Sequence, residues 1–321
     1  MYTLCRWMVA VGAAFVLRAA EAQNYPVRPV RMIIPAGSGG GVDTVSRIVG
    51  TPLAAALGQP VVMENRPGAG TMLASELTAK APPDGYTLLM VTNSHAINAG
   101  IHRNLRYDPV NDFSDISFVS TLPYVLVAHP SVPARSAREL IALARKYPGK
   151  LYFSSAGAGS GTHLAFELFI ALSHIDVVHV PYKSGSPALV DLAGGHVQLM
   201  FSNIINCMPY VRNKRLIALG ISTAKPSPLY PGLPTVAASG LPGYEADAWY
   251  GVLGPARLPA DIVARLNREI NAILRTPDVR DKLAAQGADV AGSTPEEFAA
   301  ILRRDIQKWA KVTAGLKLQI Q

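Results

Sequence analysis

Apolar positions along this chain fall into short unbroken runs separated by stretches with helical spacing. Val30 to Ile34 is a run of strand length. Apolar residues then return at Val42, Val45, Ile48, Val49 and Leu53, one face of a helix that Leu57 completes and Gly58 ends. Pro60 to Asn65 reads as a second strand, Leu73, Leu77 and Ala81 as a second helix, and Tyr86 to Val91 as a third, buried strand. Strands and helices that alternate in this way predict a parallel sheet covered on both faces.

The same alternation continues. Phe118 to Ala128 reads as one long strand broken by Pro123. Ser136 and Glu139 have the spacing of a capping box, ahead of a helix that buries Leu140, Ile141, Leu143 and Ala144. Strands are predicted at Leu151–Ser155, Val177–Pro181, Val197–Phe201 and Arg215–Ser222, with helices from Thr162 and from Ser186 to Leu192. The proline-punctuated stretch from Ala224 to Gly243 is a loop, and Ala248 to Leu253 a strand. Ile262, Leu266, Ile270 and Ile273 line a helix. Thr294 and Glu297 frame a second capping box, with Pro295 at the first helical position.

Two strand–turn–helix units share one feature. The turn after Ile34 reads Pro35-Ala36-Gly37-Ser38-Gly39-Gly40-Gly41-Val42-Asp43. The turn after Ser155 reads Ala156-Gly157-Ala158-Gly159-Ser160-Gly161-Thr162-His163. They stand about 120 residues apart, which suggests one per lobe in a chain of two ordinary domains. A helix start presents unsatisfied N–H groups and a partial positive charge, so its natural partner is an anion, carboxylate or phosphate. The hydroxyls of Ser38, Ser155, Ser160 and Thr162 could join those N–H groups without any charged side chain. In parallel sheets ligands sit at the carboxyl ends of strands, which adds the loops Arg66–Gly70 and Thr92–Asn98.

Composition narrows the classes. Of 321 residues, 49% are apolar and 16% charged, enough to bury a full core. Met1 to Ala22 has Arg6, an apolar run from Trp7 to Leu17, and Ala20-Glu21-Ala22 before Gln23, the pattern of a cleaved export signal. The run is short for a membrane span of ~20 residues; an uncleaved anchor is the other reading. The exported form would keep Cys207 alone, so no internal disulfide is expected. Its net charge of about +7 favours anionic partners in general. The cations are not clustered with aromatics as in nucleic-acid grooves, so no nucleic acid is expected.

Spacing argues against several chemistries. A dinucleotide turn from Gly37 would need glycine at Val42, and one from Gly157 would need it at Thr162. Neither turn ends in the Gly-Lys-Ser/Thr of a phosphate loop. Ser38 and Ser160 lack the flanking glycines of a nucleophile elbow. His163 follows Ser160 by three residues, but no orienting acid or oxyanion hole is legible, so it reads as a residue that fixes the loop or touches the ligand. No histidine pair has metal-ligand spacing on one helix, and neither a metal nor a cofactor is expected. Non-covalent anion capture remains.

Several segments together resemble the receptors of tripartite tricarboxylate transporters, the Bug-type solute-binding proteins. They are Gln59-Pro60-Val61-Val62 through Asn65-Arg66-Pro67-Gly68-Ala69-Gly70, Pro83-Asp84-Gly85-Tyr86-Thr87-Leu88-Leu89, His95-Ala96-Ile97-Asn98, Tyr107-Asp108-Pro109, His179-Val180-Pro181-Tyr182-Lys183 and Leu233-Pro234-Thr235-Val236. The resemblance covers nearly the whole exported chain. It implies an α/β, two-lobed periplasmic binding protein of type II, flytrap-like, each lobe a mostly parallel sheet flanked by helices. Residues 1–22 would be the signal, 23–121 with 248–321 one lobe, and 122–247 the other. It further implies a monomeric periplasmic receptor, cleaved near Ala22, which takes a small organic carboxylate to integral-membrane permease subunits.

Carried over by position, the resemblance implies ligand contacts from Ala36, Gly37, Ser38, Gly39, Gly40, Gly41 and Asp43, with Gly68, Asn93 and Ser94 nearby. From the second loop it implies Ser155, Ala156, Gly157, Gly159, Ser160, Gly161, Thr162 and His163. Tyr182, Phe201, Asn203 and Trp249 would line the cleft or the strands beneath it. The chain departs from the family at Ala36, where phenylalanine is usual, at an extra glycine before Val42, and at Ser202, where aspartate is frequent. Without that carboxylate, a plain carboxylate ligand is expected rather than an amino acid. A sensory receptor, and an enzyme with His163 as base, are the alternative readings.

Overall fold

Two strand–turn–helix repeats lay down most of the molecule, and two crossing strands join them. In the computed structural model, which describes residues 25–39, 41–68, 71–102, 104–182 and 185–314, the first repeat is β1 (Val30–Ile34), α1 (Gly41–Leu57), β2 (Val61–Asn65), α2 (Met72–Ala79), β3 (Thr87–Thr92) and α3 (Ser94–Ile101). The expected export signal and its cleavage at Ala22, with Gly40, lie outside the described residues. Strand β4 (Phe113–Leu122) leads out of this part, and β5 (Tyr124–Ala128) enters the next, with α4 (Ala137–Lys146) following. The second repeat is β6 (Tyr152–Ser155), α5 (Gly161–Ser173), β7 (Val178–Pro181), α6 (Gly185–Ala193), β8 (Leu199–Asn203) and α7 (Ile204–Arg212). After β9 (Ile217–Ile221), β10 (Ala248–Pro255) returns to the first part. There α8 (Ala260–Leu274), α9 (Pro277–Ala285), β11 (Asp289–Val290) and α10 (Pro295–Ala314) close the chain.

The two lobes each hold one sheet. One has six strands in the order β11-β4-β10-β3-β1-β2, the other five in the order β7-β6-β8-β5-β9. Most strands of each sheet share one direction, as expected, but both sheets are mixed, with β10 and β11 reversed in one and β5 in the other. Strand β1 runs parallel to β2 and β3, but β10 is antiparallel to β3 and β4, and β5 is antiparallel to β8 and β9. The cause is the crossing. Strands β5 and β10 enter their sheets from the interlobe side, where β1, β3, β6 and β8 end. A strand entering at that edge must run against those that leave by it.

The predicted capping boxes both form, with one difference. Thr294 and Glu297 exchange bonds, Thr294 N–H to Glu297 Oε2 at 2.8 Å and Glu297 N–H to Thr294 Oγ1 at 3.2 Å. Ser136 Oγ accepts from Glu139 N–H, whereas the Glu139 carboxylate reaches past the cap to the N–H of Arg135 at 2.7 Å. Helices α3 and α7 escape the sequence reading. The segment Ser94–Ile101 is a helix rather than a loop, and α7 starts directly from β8. Strand β4 also begins five residues before the predicted Phe118.

The cores follow the strand faces. Met32, Val45, Val49, Leu53 and Leu88 pack between α1 and one face of the six-stranded sheet. Phe118, Trp249, Phe298 and Trp309 fill its other face beneath α10. In the second lobe Phe166, Phe169 and Phe201 pack with Tyr244, whose hydroxyl donates to the Ala165 carbonyl at 2.9 Å. The crossing itself is tied by polar bonds. Tyr124 N–H donates to Ser222 Oγ, and Ser222 Oγ–H donates to Asp247 Oδ1 at 2.6 Å. Burial pushes the Asp247 carboxyl up to about 7.

Candidate functional site

The first glycine turn is held from within. Gly39 adopts φ +81°, a left-handed conformation that glycine takes at low cost. Its N–H donates to Asp43 Oδ2 at 2.9 Å. The other Asp43 oxygen lies 2.9 Å from the Arg47 guanidinium, one helical turn on. Asn65, at the end of β2, donates through Nδ2 to Asp43 Oδ1 and to the Ala36 carbonyl, and accepts from Ser38 Oγ–H at 3.1 Å. The Arg47 hydrogen bond outweighs burial and, with Gly39 and Asn65, holds the Asp43 carboxyl down at about 2. Asp43 therefore shapes the turn.

The second turn repeats the device with different chemistry. Gly159, at φ +76°, donates its N–H to His163 Nδ1 at 3.0 Å, again four residues on. His163 Nε2 faces Glu167 Oε1 at 3.2 Å. Both ring nitrogens are engaged inside the protein, which leaves neither for a substrate proton. The ring stacks on His179 at 3.9 Å between centroids. His179 Nε2 in turn meets Ser155 Oγ at 2.7 Å, and burial first, then the nearby His163, lowers its proton affinity to about 4. Ser160 and Thr162 hydroxyls bond each other at 3.1 Å, and Thr162 Oγ1 accepts from the Ala156 N–H. The hydroxyls of Ser38, Ser155, Ser160 and Thr162, expected to reach a ligand, thus all have partners within the protein.

What these loops leave open is helix-start backbone. In α5 the N–H groups of Gly161 and Thr162 precede the first intrahelical bond, from Leu164 N–H to the Ser160 carbonyl. The start of α1 at Gly41 is its counterpart. Two tyrosines stand against these starts. A Cβ at Gly41 would lie 3.5 Å from Tyr250 Oη, and one at Gly161 would collide with Tyr124 Oη. Asn93 joins the two halves. Its Nδ2 donates to the Asp247 carbonyl at 3.2 Å, would lie 3.7 Å from a Cβ on Gly161, and hydrogen-bonds the Tyr124 hydroxyl. Burial raises both phenols, Tyr250 to about 12 and Tyr124 further, and the two hydroxyls are close enough for Tyr250 to add to the rise at Tyr124.

Gly41, Asn93 and Gly161 therefore come together, around two tyrosines that sequence reasoning passed over. Trp249 and Phe201 do not join them. Strand alternation turns Trp249 to the opposite face of β10, where its Nε1–H donates to Asp305 Oδ2 at 2.6 Å, and Phe201 is fully buried in the aromatic core. Tyr182 donates to Asp191 Oδ2 at 2.7 Å. Asn203 is exposed at the start of α7 and pairs with Tyr124 in the ladder, while Ser94 opens α3 with its N–H on Thr92 Oγ1. Gly37 and Gly157 sit within the two turns, and Gly68 in the β2–α2 connection at φ +144°. A cavity of about 730 Å³ lies among α8, α9, α10 and Pro228–Leu229, and none of its lining residues belongs to either glycine turn.

Comparison with known proteins points one way. Residues 45–318 match the family model described as "Tripartite tricarboxylate transporter family receptor". The chain is 35% identical to Protein BugT of Bordetella pertussis over 315 residues, 97% of each chain. Among solved structures, an R. palustris protein with adipate has a TM-score of 0.77 at 34% identity, covering 90% of this chain and 97% of that one. MatC from Rhodopseudomonas palustris with bound malate has a TM-score of 0.74 at 32% identity, covering 90% and 99%.

Proposed function

The chain belongs to the family of tripartite tricarboxylate transporter receptors, and from that premise we propose that it captures a small dicarboxylate between its lobes. One observation carries the reading. The starts of α1 and α5 approach a single pair of tyrosine hydroxyls from opposite lobes, at Gly41 and at Gly161. Each start offers bare N–H groups to an anion, so two carboxylates on one short spacer fit the pair. Neighbours solved with adipate and malate support that class. Each charge-assisted bond contributes about 1.5–3 kcal/mol, so four or five suffice for micromolar affinity after the cost of closure.

In this reading residues 23–121 and 248–321 form one lobe and 122–247 the other. The mature protein is a periplasmic monomer, released by cleavage near Ala22. It closes on its ligand and presents it to the integral-membrane permease subunits. No helix among the described residues is long and apolar enough to cross a membrane. It binds without turnover, since His163 has both nitrogens engaged. A thermal-shift screen of residues 23–321 against succinate, malate, adipate, aspartate and glutamate tests this. A dicarboxylate at a hundred times its Kd should stabilise the fold by about 2.7 kcal/mol, and proton spectra of the bound acid should stay unchanged for hours. Conversion of the acid, or a response to amino acids alone, would contradict the reading.

A further inference from the structure

Around the two turns nearly every side-chain hydroxyl has a protein partner. Ser38 bonds Asn65, Ser155 bonds His179, Ser160 and Thr162 bond each other, and Tyr182 bonds Asp191. Tyr250 is different. Its side chain is nine-tenths buried, 8% exposed, yet its hydroxyl meets no hydrogen-bond partner among the described residues. The ring is buried but the hydroxyl itself opens to solvent, so it is free to donate to an acceptor from outside the chain without breaking a protein bond. The hydroxyl faces the start of α1, where Gly41 has no Cβ to fill the gap.

We infer that Tyr250 is a specificity-determining ligand contact, whose phenolic O–H donates to the carboxylate oxygen seated at the start of α1. This rests on the receptor reading above. The α1 N–H groups and the phenol of β10 converge on one acceptor, so the carboxylate is held by backbone on one side and by a strand-borne side chain on the other. The choice of ligand follows from the donor set. A carboxylate or another acceptor group satisfies Tyr250, whereas an ammonium group at that end would set donor against donor.

Tyr124 supplies the matching group at α5 with one difference. It is hydrogen-bonded by Asn93, so its oxygen already has a protein partner. The comparison makes the test sharp. In Tyr250→Phe no protein hydrogen bond is lost, so the ligand-free melting temperature should match wild type. Titration calorimetry with whichever of succinate, malate and adipate binds wild type most tightly should show affinity about 10- to 100-fold lower, the fold-change of one hydrogen bond to a charged group. Tyr124→Phe should lower the ligand-free melting temperature, because Asn93 loses an acceptor. Gly41→Ala places a methyl at ordinary contact distance from the Tyr250 hydroxyl, so the fold should tolerate it while binding weakens. Tyr250→Phe binding within twofold of wild type would overturn the inference, as would a fall in its ligand-free melting temperature. A wild type that ignores all three acids overturns the receptor reading itself, and the inference with it.

Discussion

Asp43 and His163 hold matching places in the two halves of the molecule. Each sits in the first turn of the helix that follows a glycine loop, and each accepts the N–H of the glycine four residues before it, Gly39 at 2.9 Å and Gly159 at 3.0 Å. The repeat extends to the backbone, where Arg66 N–H bonds the Ile34 carbonyl as Tyr182 N–H bonds that of Ser155. The loops are thus built before any ligand arrives, and a preformed loop does not have to be ordered on binding. The difference lies in charge. Asp43 brings a carboxylate balanced by Arg47, and His163 an imidazole backed by Glu167.

Asp43→Ala should destabilise the fold by about 1–2 kcal/mol in urea titration, because Gly39, Asn65 and Arg47 all lose an acceptor. Its pH dependence has a definite sign. The folded carboxyl is held down at about 2, so its contribution is present above the unfolded value of about 4 and is lost as pH falls through 2. After allowance for solvent around Arg47, the difference between wild type and Asp43→Ala should shrink by on the order of 1 kcal/mol over that window.

His163→Ala unties the second loop without removing a group that carries ligand contacts in this account. Calorimetry should give affinity several-fold weaker, on the order of one hydrogen bond's worth, with no catalytic rate to lose. His163→Asn, which keeps an acceptor near Gly159, should recover part of the loss. A variant that binds as wild type would show that loop order is set elsewhere.

His95 controls acid stability in the first lobe. It is buried between Ser75 Oγ at 3.0 Å and the Pro109 carbonyl at 2.9 Å, stacked on Tyr107, and burial pushes its proton affinity down to about 4. The unfolded chain takes the proton near 6.5, so the native state is progressively disfavoured as pH falls from 6.5 to 4, by up to about 3 kcal/mol. Wild type should therefore show a steeper fall in denaturant midpoint across that window than His95→Gln. Parallel curves would refute the assignment.

Gly161→Ala should damage the site more than Gly41→Ala. The added methyl collides with the Tyr124 hydroxyl, which must swing away from Asn93, whereas at Gly41 the same methyl meets Tyr250 at 3.5 Å. Ligand affinity should fall in both, and the ligand-free melting temperature only in Gly161→Ala.

Much of this was legible in the residues. Glycine-rich turns between a buried strand and an amphipathic helix mark helix starts wherever they occur, and two of them predict two lobes. The loop braces were legible too, since glycine followed four residues later by Asp43 or His163 is a pattern in both turns. The tyrosines were not. Tyr124 and Tyr250 look like core aromatics in apolar strands, and which face of β10 meets α1 depends on the register of a strand arriving from the other lobe. For the same reason the sequence does not separate Trp249, whose indole meets Asp305, from its neighbour Tyr250, whose hydroxyl meets the start of α1. The hydroxyls of Ser155, Ser160 and Thr162 looked available because the partners that engage them, His179 above all, lie on another strand or within the folded turn.

The central claim is that two helix starts, one from each lobe, hold the two ends of one small acid. Titration calorimetry of residues 23–321 with succinate, malate and adipate tests it most directly. The account predicts saturable binding near one ligand per chain with micromolar or tighter Kd for at least one of them, and binding at least tenfold weaker for the monocarboxylate of the same length, which leaves one helix start empty. Equal affinity for the monocarboxylate, or no heat from any acid at millimolar concentration, would contradict it.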